Sequence, residues 1–367
     1  MPLILGESIE PPSNCHEKIV KLLKTKNGDD VRAVLNEVIL TLKKLKDLVE
    51  VVKNILYLND FSNKEHTIFH LLQSQNNEVI FQVVELLKCF EKVPKELEAP
   101  KKVQEMMISS CEAHDNVYIV QVHRLLREAE AHIKYNTNHS QNDSTEILKS
   151  KKGFAAALDL IILLCDWQQK DMQDAMRNKG SNIVNQVSFI FFYISKHWDD
   201  TKINIAQKAV QALIEMCTGN YTNQEIAYKG QVIASINVIL RIQTSYHDDN
   251  KEKRKLKYKL NRLKLSCLEL LEVMLEEIDE KSSSLANRIA NHLKMESLRA
   301  ELKKSWKPTH SCAALRDFMC CRKKETSLVM RSYHVLRRIA DYKCWTKQRS
   351  KMEKCGNIIK NSPRVFK

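Results

Sequence analysis

Apolar residues return every three or four positions along most of this chain and almost nowhere alternate. Between Val31 and Asn59 they fall at Val34, Leu35, Val38, Ile39, Leu42, Leu45, Leu48, Val49, Val52 and Leu56, the spacing of one buried helical stripe. A second unit runs from Lys64 to Glu91 as two helices broken near Gln75-Asn76-Asn77. Pro94 and Pro100 precede the next helix, which carries Val103, Met106, Met107 and Cys111. Asn116–Tyr135 repeats the stripe with Ile119, Val122, Leu125, Leu126 and Ala129, and the polar stretch Asn136–Ser144 reads as an exposed linker.

Gly153–Trp167 is apolar nearly all round, which places it in a core with Ala156, Leu160, Leu163 and Leu164 inside. Helices are then expected over Lys170–Lys179, Ser181–Trp198, Thr201–Thr218, Gln224–Tyr246 (broken near Gly230), Lys251–Glu280, Ser283–Leu293 and Glu296–Ser305. Pro308 marks a break, and Ser327–Met352 forms a final basic amphipathic helix. Helix pairs of about forty residues, each burying one stripe against its neighbours, predict an all-α fold. The expected architecture is an armadillo-like solenoid of stacked antiparallel helix pairs. Its expected division is an extension over residues 1–29, a helical unit over 30–140, a second helical domain over 150–305 and a basic tail over 308–367.

Composition strengthens this picture. The chain has only 7 glycines and 7 prolines in 367 residues, well under the average usage of about seven and five per cent. Few glycines leave few phosphate cradles, and no GxxxxGK[ST], GxGxxG or GxSxG occurs. With no motif-placed nucleophile and base, the chain is not expected to be an enzyme. The 11 cysteines are scattered, with Cys89, Cys111, Cys165, Cys217 and Cys267 inside apolar runs, and they read as reduced core thiols. The longest apolar stretches, Ala155–Cys165 and Val187–Ile194, fall short of the roughly twenty residues that span a bilayer, so no transmembrane segment is expected.

Charge is unevenly spread. Residues 301–367 hold 18 Lys and Arg against 5 Asp and Glu, a net +13 of the chain's +14. In the final helix, Arg331, Arg337, Arg338 and Lys343 interleave with Val329, Tyr333, Leu336, Ile339 and Trp345, the character of a calmodulin target. The run Lys251–Lys264 holds eight basic residues and one acid, with Leu256, Tyr258, Leu260 and Leu263 interleaved on one helical stripe. It reads as a solvated helix start, with an anionic lipid or nucleic acid as the alternative partner. His66 and His70 stand one turn apart without a third ligand nearby, and Cys312, Cys320, Cys321 and His334 are irregularly spaced for zinc. Neither set is expected to bind metal.

Three stretches carry a family resemblance: Leu160–Lys179, LIILLCDWQQKDMQDAMRNK; Ala212–Leu240, ALIEMCTGNYTNQEIAYKGQVIASINVIL; and Tyr118–Lys134, YIVQVHRLLREAEAHIK. The first resembles the Leu-Leu-Cys-acid run of inositol trisphosphate receptors, and more distantly of ryanodine receptors. The second is similar to that family's Leu-x-Glu-x-x-x-Gly-x-x-x-Asn-Gln element. The third looks like the helix just upstream of the family's associated homology domain. Leu260–Glu277 and Ala286–Leu302 continue the match in order, so the resemblance spans roughly residues 30–305.

The resemblance implies a regulatory cytosolic module, or fragment, of an intracellular calcium-release channel at the endoplasmic reticulum. Such a module couples ligand and calcium sensing to gating, and residues 150–305 form the receptor-associated homology domain. Its partners would be other domains or subunits of a homotetrameric receptor, with calmodulin on 327–352. Carried over by motif, Asp166 and Glu215 become two carboxylate ligands of an activating calcium ion whose third ligand comes from near the pore. Asp166 is shorter than the family's Glu. The family's ligand-binding trefoils, six-helix pore and zinc-finger linker have no counterpart in these 367 residues. The alternative is a free-standing armadillo-type adaptor that binds peptides or RNA through the basic tail.

Overall fold

Where glycine and proline are this scarce, a chain with a three-to-four-residue apolar stripe has little to interrupt its helices. The computed structural model describes residues 68–91, 104–105, 107–109, 117–135, 144–177, 182–198, 202–242, 251–276, 280–306, 331–332 and 335–336. Among these residues the fold is all-helical and contains no strand. The expected helix over Val31–Asn59, residues His66, Cys312, Cys320, Cys321 and His334, and most of the basic tail lie outside the described residues. The chain divides into two units, Met1–Trp167 and Gln168–Lys367.

The first unit contains a 3-10 turn over Ile68–Gln73 and three α-helices: α1 (Asn77–Glu91), α2 (Val117–Tyr135) and α3 (Ser144–Cys165). The break before α1 falls where expected. There the Ser74 Oγ accepts the Asn76 N–H at 3.1 Å, and the Asn76 Oδ1 accepts the Glu78 N–H at 3.0 Å. Short polar side chains favour such local turns over a continued helix. Helices α1 and α2 both pack on α3, and Ile80, Val83, Leu87, Val122, Leu126, Ala156, Leu160 and Leu164 are fully buried. Leu163, also expected inside, is buried too. The sequence pattern opened the second half of the chain with this apolar helix. Its buried faces meet α1 and α2 instead, and it closes the first unit.

The second unit starts at Gln168, the last residue of a short 3-10 turn, with φ 56°. It continues with α4 (Lys170–Ala175), α5 (Ile183–Lys196), α6 (Ile203–Cys217), α7 (Tyr221–Lys229) and α8 (Val232–Arg241). Then follow α9 (Lys251–Met274), α10 (Glu280–His292) and α11 (Met295–Trp306). Helix α5 packs on α6, α7 and α8; α6 packs on α9; α8 reaches α9, α10 and α11. Most partners are close in chain order, as in stacked helix pairs. The core takes Phe191, Val210, Leu213, Met216, Ile236, Leu263, Leu268 and Leu271, all fully buried.

The junction of α7 and α8 separates two reasons for a break. Gly230 has φ −74°, which any residue adopts, while Gln231 carries the left-handed turn at φ 69°. Gly230 is required by proximity: a Cβ there would stand 2.5 Å from the Ser188 Cβ on α5. Adjacent substitutions should therefore act in opposite directions. Gly230→Ala should cost about 1–3 kcal/mol through overpacking, and Gln231→Gly should gain about 0.5–1 kcal/mol by relieving left-handed strain. Thermal melts of the two variants decide it, and equal signs would refute the assignment.

Candidate functional site

A dense polar arrangement forms where α6 ends and α7 begins, in the segment Gly219-Asn220-Tyr221-Thr222-Asn223-Gln224. A helix C-terminus leaves its last carbonyls without helical partners, and burial makes each of them costly unless a donor is supplied. Here side-chain amides supply the donors. Asn223 Nδ2 donates to the Met216 carbonyl at 2.7 Å and to the Gln173 carbonyl at 2.9 Å. Gln173 Nε2, from α4, donates to the carbonyls of Glu215 at 2.7 Å and Thr218 at 3.0 Å. Gln224 Nε2 donates to the Cys217 carbonyl and, at the end of α9, to the Val273 carbonyl, both at 3.1 Å.

Asn220 caps α7 by accepting the Asn223 N–H, and its own amide donates to Asp174 Oδ1 at 2.8 Å. Arg177 donates to the Oδ1 atoms of Asn220 and Asn223 and pairs with Asp174 at 2.6 Å. Gly219, at φ 67°, makes the turn that lets the chain leave α6; a side chain there would be strained. Burial pushes the Asp174 carboxyl up. Hydrogen bonds from Asn220 and Arg177, with the charges of Arg177 and Lys170, more than offset this and hold it below the ordinary carboxylate value. The cluster clamps α4, α6, α7 and the end of α9 to one another. Its buried amides donate mostly to the main chain, and the remaining bonds join its side chains to one another.

The clasp coincides with the Gly-x-x-x-Asn-Gln element read from the sequence, although that reading assigned it no role. Gln173, Asp174 and Arg177 were within a quoted stretch and were not singled out. Their spacing, at i, i+1 and i+4, gives no signal of a shared target, because the target is the end of another helix.

The two expected calcium ligands fall in different units. Asp166 opens the 3-10 turn Asp166–Gln168, one residue before the end of the first unit; its carbonyl, like that of Leu163, accepts from the buried Gln104 amide. Glu215 sits half-buried on α6 in the second unit. No group of three or more His, Cys, Asp or Glu placed to hold a metal occurs among the described residues.

The basic stripe also changes shape. Leu260 and Leu263 are buried, but Tyr258 is 46% exposed, so it does not share their face as expected. Lys264, read as part of a solvated helix start, is fully buried, with its charge close enough to act on Cys267. A position three or four residues from Leu260, Cys267 and Leu268 lies over the core whatever its charge. Burial pushes the thiols of Cys217 and Cys267 up, and Cys165 is buried with them, which suits core thiols.

No protein-family model matches the chain, and no curated protein matches it. Among solved structures, a crystal structure of an engineered protein from the Northeast Structural Genomics Consortium is 11% identical, with a TM-score of 0.19, over 89% of this chain and 99% of that chain. A likeness that low bears on neither fold nor function.

Proposed function

We propose that this chain is a regulatory helical module of an intracellular calcium-release channel of the inositol trisphosphate receptor type, or a fragment of one, working without bond-making chemistry. The observation that carries the reading is the clasp. The segment that resembles the receptor's Gly-x-x-x-Asn-Gln element is the point where four helices of the second unit are tied through main-chain carbonyls. A module that passes a conformational bias from a sensor to a gate needs rigid elements of this kind. The collinear order of the resembling stretches supports the same reading. No helix among the described residues is long and apolar enough to cross a membrane, so the module would act beside a pore made by other segments, at the cytoplasmic face of the endoplasmic reticulum, within a homotetramer.

By the resemblance alone, Asp166 and Glu215 are each assigned as calcium ligands of the full receptor, with a further ligand from near the pore. Two carboxylates without the third ligand should bind in the millimolar range, since ligand number sets affinity. At tenfold over Kd, calcium should then raise the melting temperature by roughly 3–6 °C, an effect of about 1.4 kcal/mol. Glu215→Gln and Asp166→Asn should each abolish the shift while melting normally without calcium. An equal shift in wild type and both variants, or none in wild type, would remove the calcium assignment. If the chain instead binds RNA with a steep salt dependence, the adaptor reading, favoured by the net charge of the tail, takes its place.

A further inference from the structure

The basic tail, set off in the sequence by the break at Pro308, has a short described piece that is seated on the second unit. Arg331 Nη1 donates to Glu272 Oε2 at 3.0 Å, and Arg331 Nη2 lies 3.5 Å from Glu269 Oε1. The two acids stand at i and i+3 on α9, so one guanidinium spans both. One helical turn beyond, Val335 is 0% and Leu336 5% exposed, and Ser332 is fully buried. Ion pairs this accessible contribute little individually; the buried aliphatic side chains supply the attraction and the acid pair sets the register. The same residues, Arg331 and Leu336, belong to the amphipathic pattern that gives this helix its calmodulin-target character.

We propose that Arg331, Ser332, Val335 and Leu336 form an intramolecular latch: Glu269 and Glu272 of α9 receive Arg331, and docking withholds these residues from an acidic, helix-binding partner protein. A face already buried against its own chain binds outside only from the undocked fraction, so apparent affinity falls by that fraction. Charge complementarity supports this occupant. The tail carries most of the chain's net positive charge, and the acids it meets are spaced one turn apart on a helix whose apolar side is in the core. The latch does not rest on the channel reading and stands or falls separately.

The test uses the full chain in four forms: wild type, R331E, E269K/E272K, and the charge-swapped combination of all three. Limited chymotrypsin cleavage after Leu336, which is 5% exposed when docked, reports tail release, since none of the substitutions creates a new site. R331E and E269K/E272K should each speed cleavage about tenfold, and the combination should return it toward wild type, while all four melt together. Calcium-loaded calmodulin, as a probe acidic groove, should bind E269K/E272K about tenfold more tightly than wild type. Cleavage unchanged in both charge reversals, failure of the swap to restore protection, or equal calmodulin affinities would overturn the latch.

Discussion

Asn223→Asp should destabilise the second unit by about 3–5 kcal/mol, although it replaces one atom. Asn223 is fully buried, and its amide nitrogen donates to two carbonyls in the last turns of their helices. Aspartate has no donor when ionised, so two buried carbonyls would face a carboxylate oxygen. Each lost buried hydrogen bond costs about 1–3 kcal/mol, and the charge adds to this. Arg177, 3.0 Å from Oδ1, would offset part of it. For a unit of this size the melting temperature should fall by roughly 10 °C. Thr222→Ala, one residue away on the exposed side of α7, should stay within about 0.5 kcal/mol of wild type. If Asn223→Asp melts as Thr222→Ala does, the clasp does not hold the helices together.

The other large effect belongs to the first unit. Asp159 lies inside the most apolar stretch of the chain, on α3, with a side chain only 7% exposed, and Lys88 of α1 reaches it at 3.0 Å. Burial lowers the proton affinity of Lys88, but Glu85 and Asp159 more than offset this and hold its ammonium charged well above the ordinary range. Lys88→Met would leave a buried carboxylate without its cation, at a cost of about 3 kcal/mol; Lys88 is 29% exposed, which lets water soften the loss. Replacing both partners, Lys88→Met with Asp159→Leu, should recover most of the stability, because a well-packed apolar pair removes the desolvation cost on both sides. Chemical denaturation of the single and double variants reads this directly. A double variant as unstable as Lys88→Met alone would show that the lysine acts through Glu85 or packing instead.

Much of the fold was legible because helical periodicity is a local property. The stripes that predicted helices over Lys170–Lys179, Ser181–Trp198 and Thr201–Thr218 appear as α4, α5 and α6 with ends shifted by a few residues. Ends depend on capping, and Asn182 and Asn220 decide two of them through single side-chain acceptors. The buried set Ala156, Leu160, Leu163 and Leu164 was legible for the same reason: a helix apolar on every face has nowhere else to go. The site was much less so. Asn220, Asn223 and Gln224 stand near one another in sequence, but their partners are backbone carbonyls of Gln173, Met216, Cys217 and Val273, and a carbonyl leaves no mark on a sequence.

By itself, then, the sequence determined helix type, the apolar face of most helices and the charge asymmetry of the tail, since each follows from residue identity and spacing. Which face meets which helix was decided only in three dimensions. Asp159 in an apolar run is intelligible once Lys88 is opposite it; Gly230 is needed for the approach of Ser188 and not for its own backbone angle; Lys264 is buried because its turn covers the core despite its charge. In each case the controlling partner lies tens of residues away, or a turn away on a face whose burial another helix sets. Residue spacing encodes a helix's own surface, whereas the neighbour that surface meets is chosen by packing the whole unit.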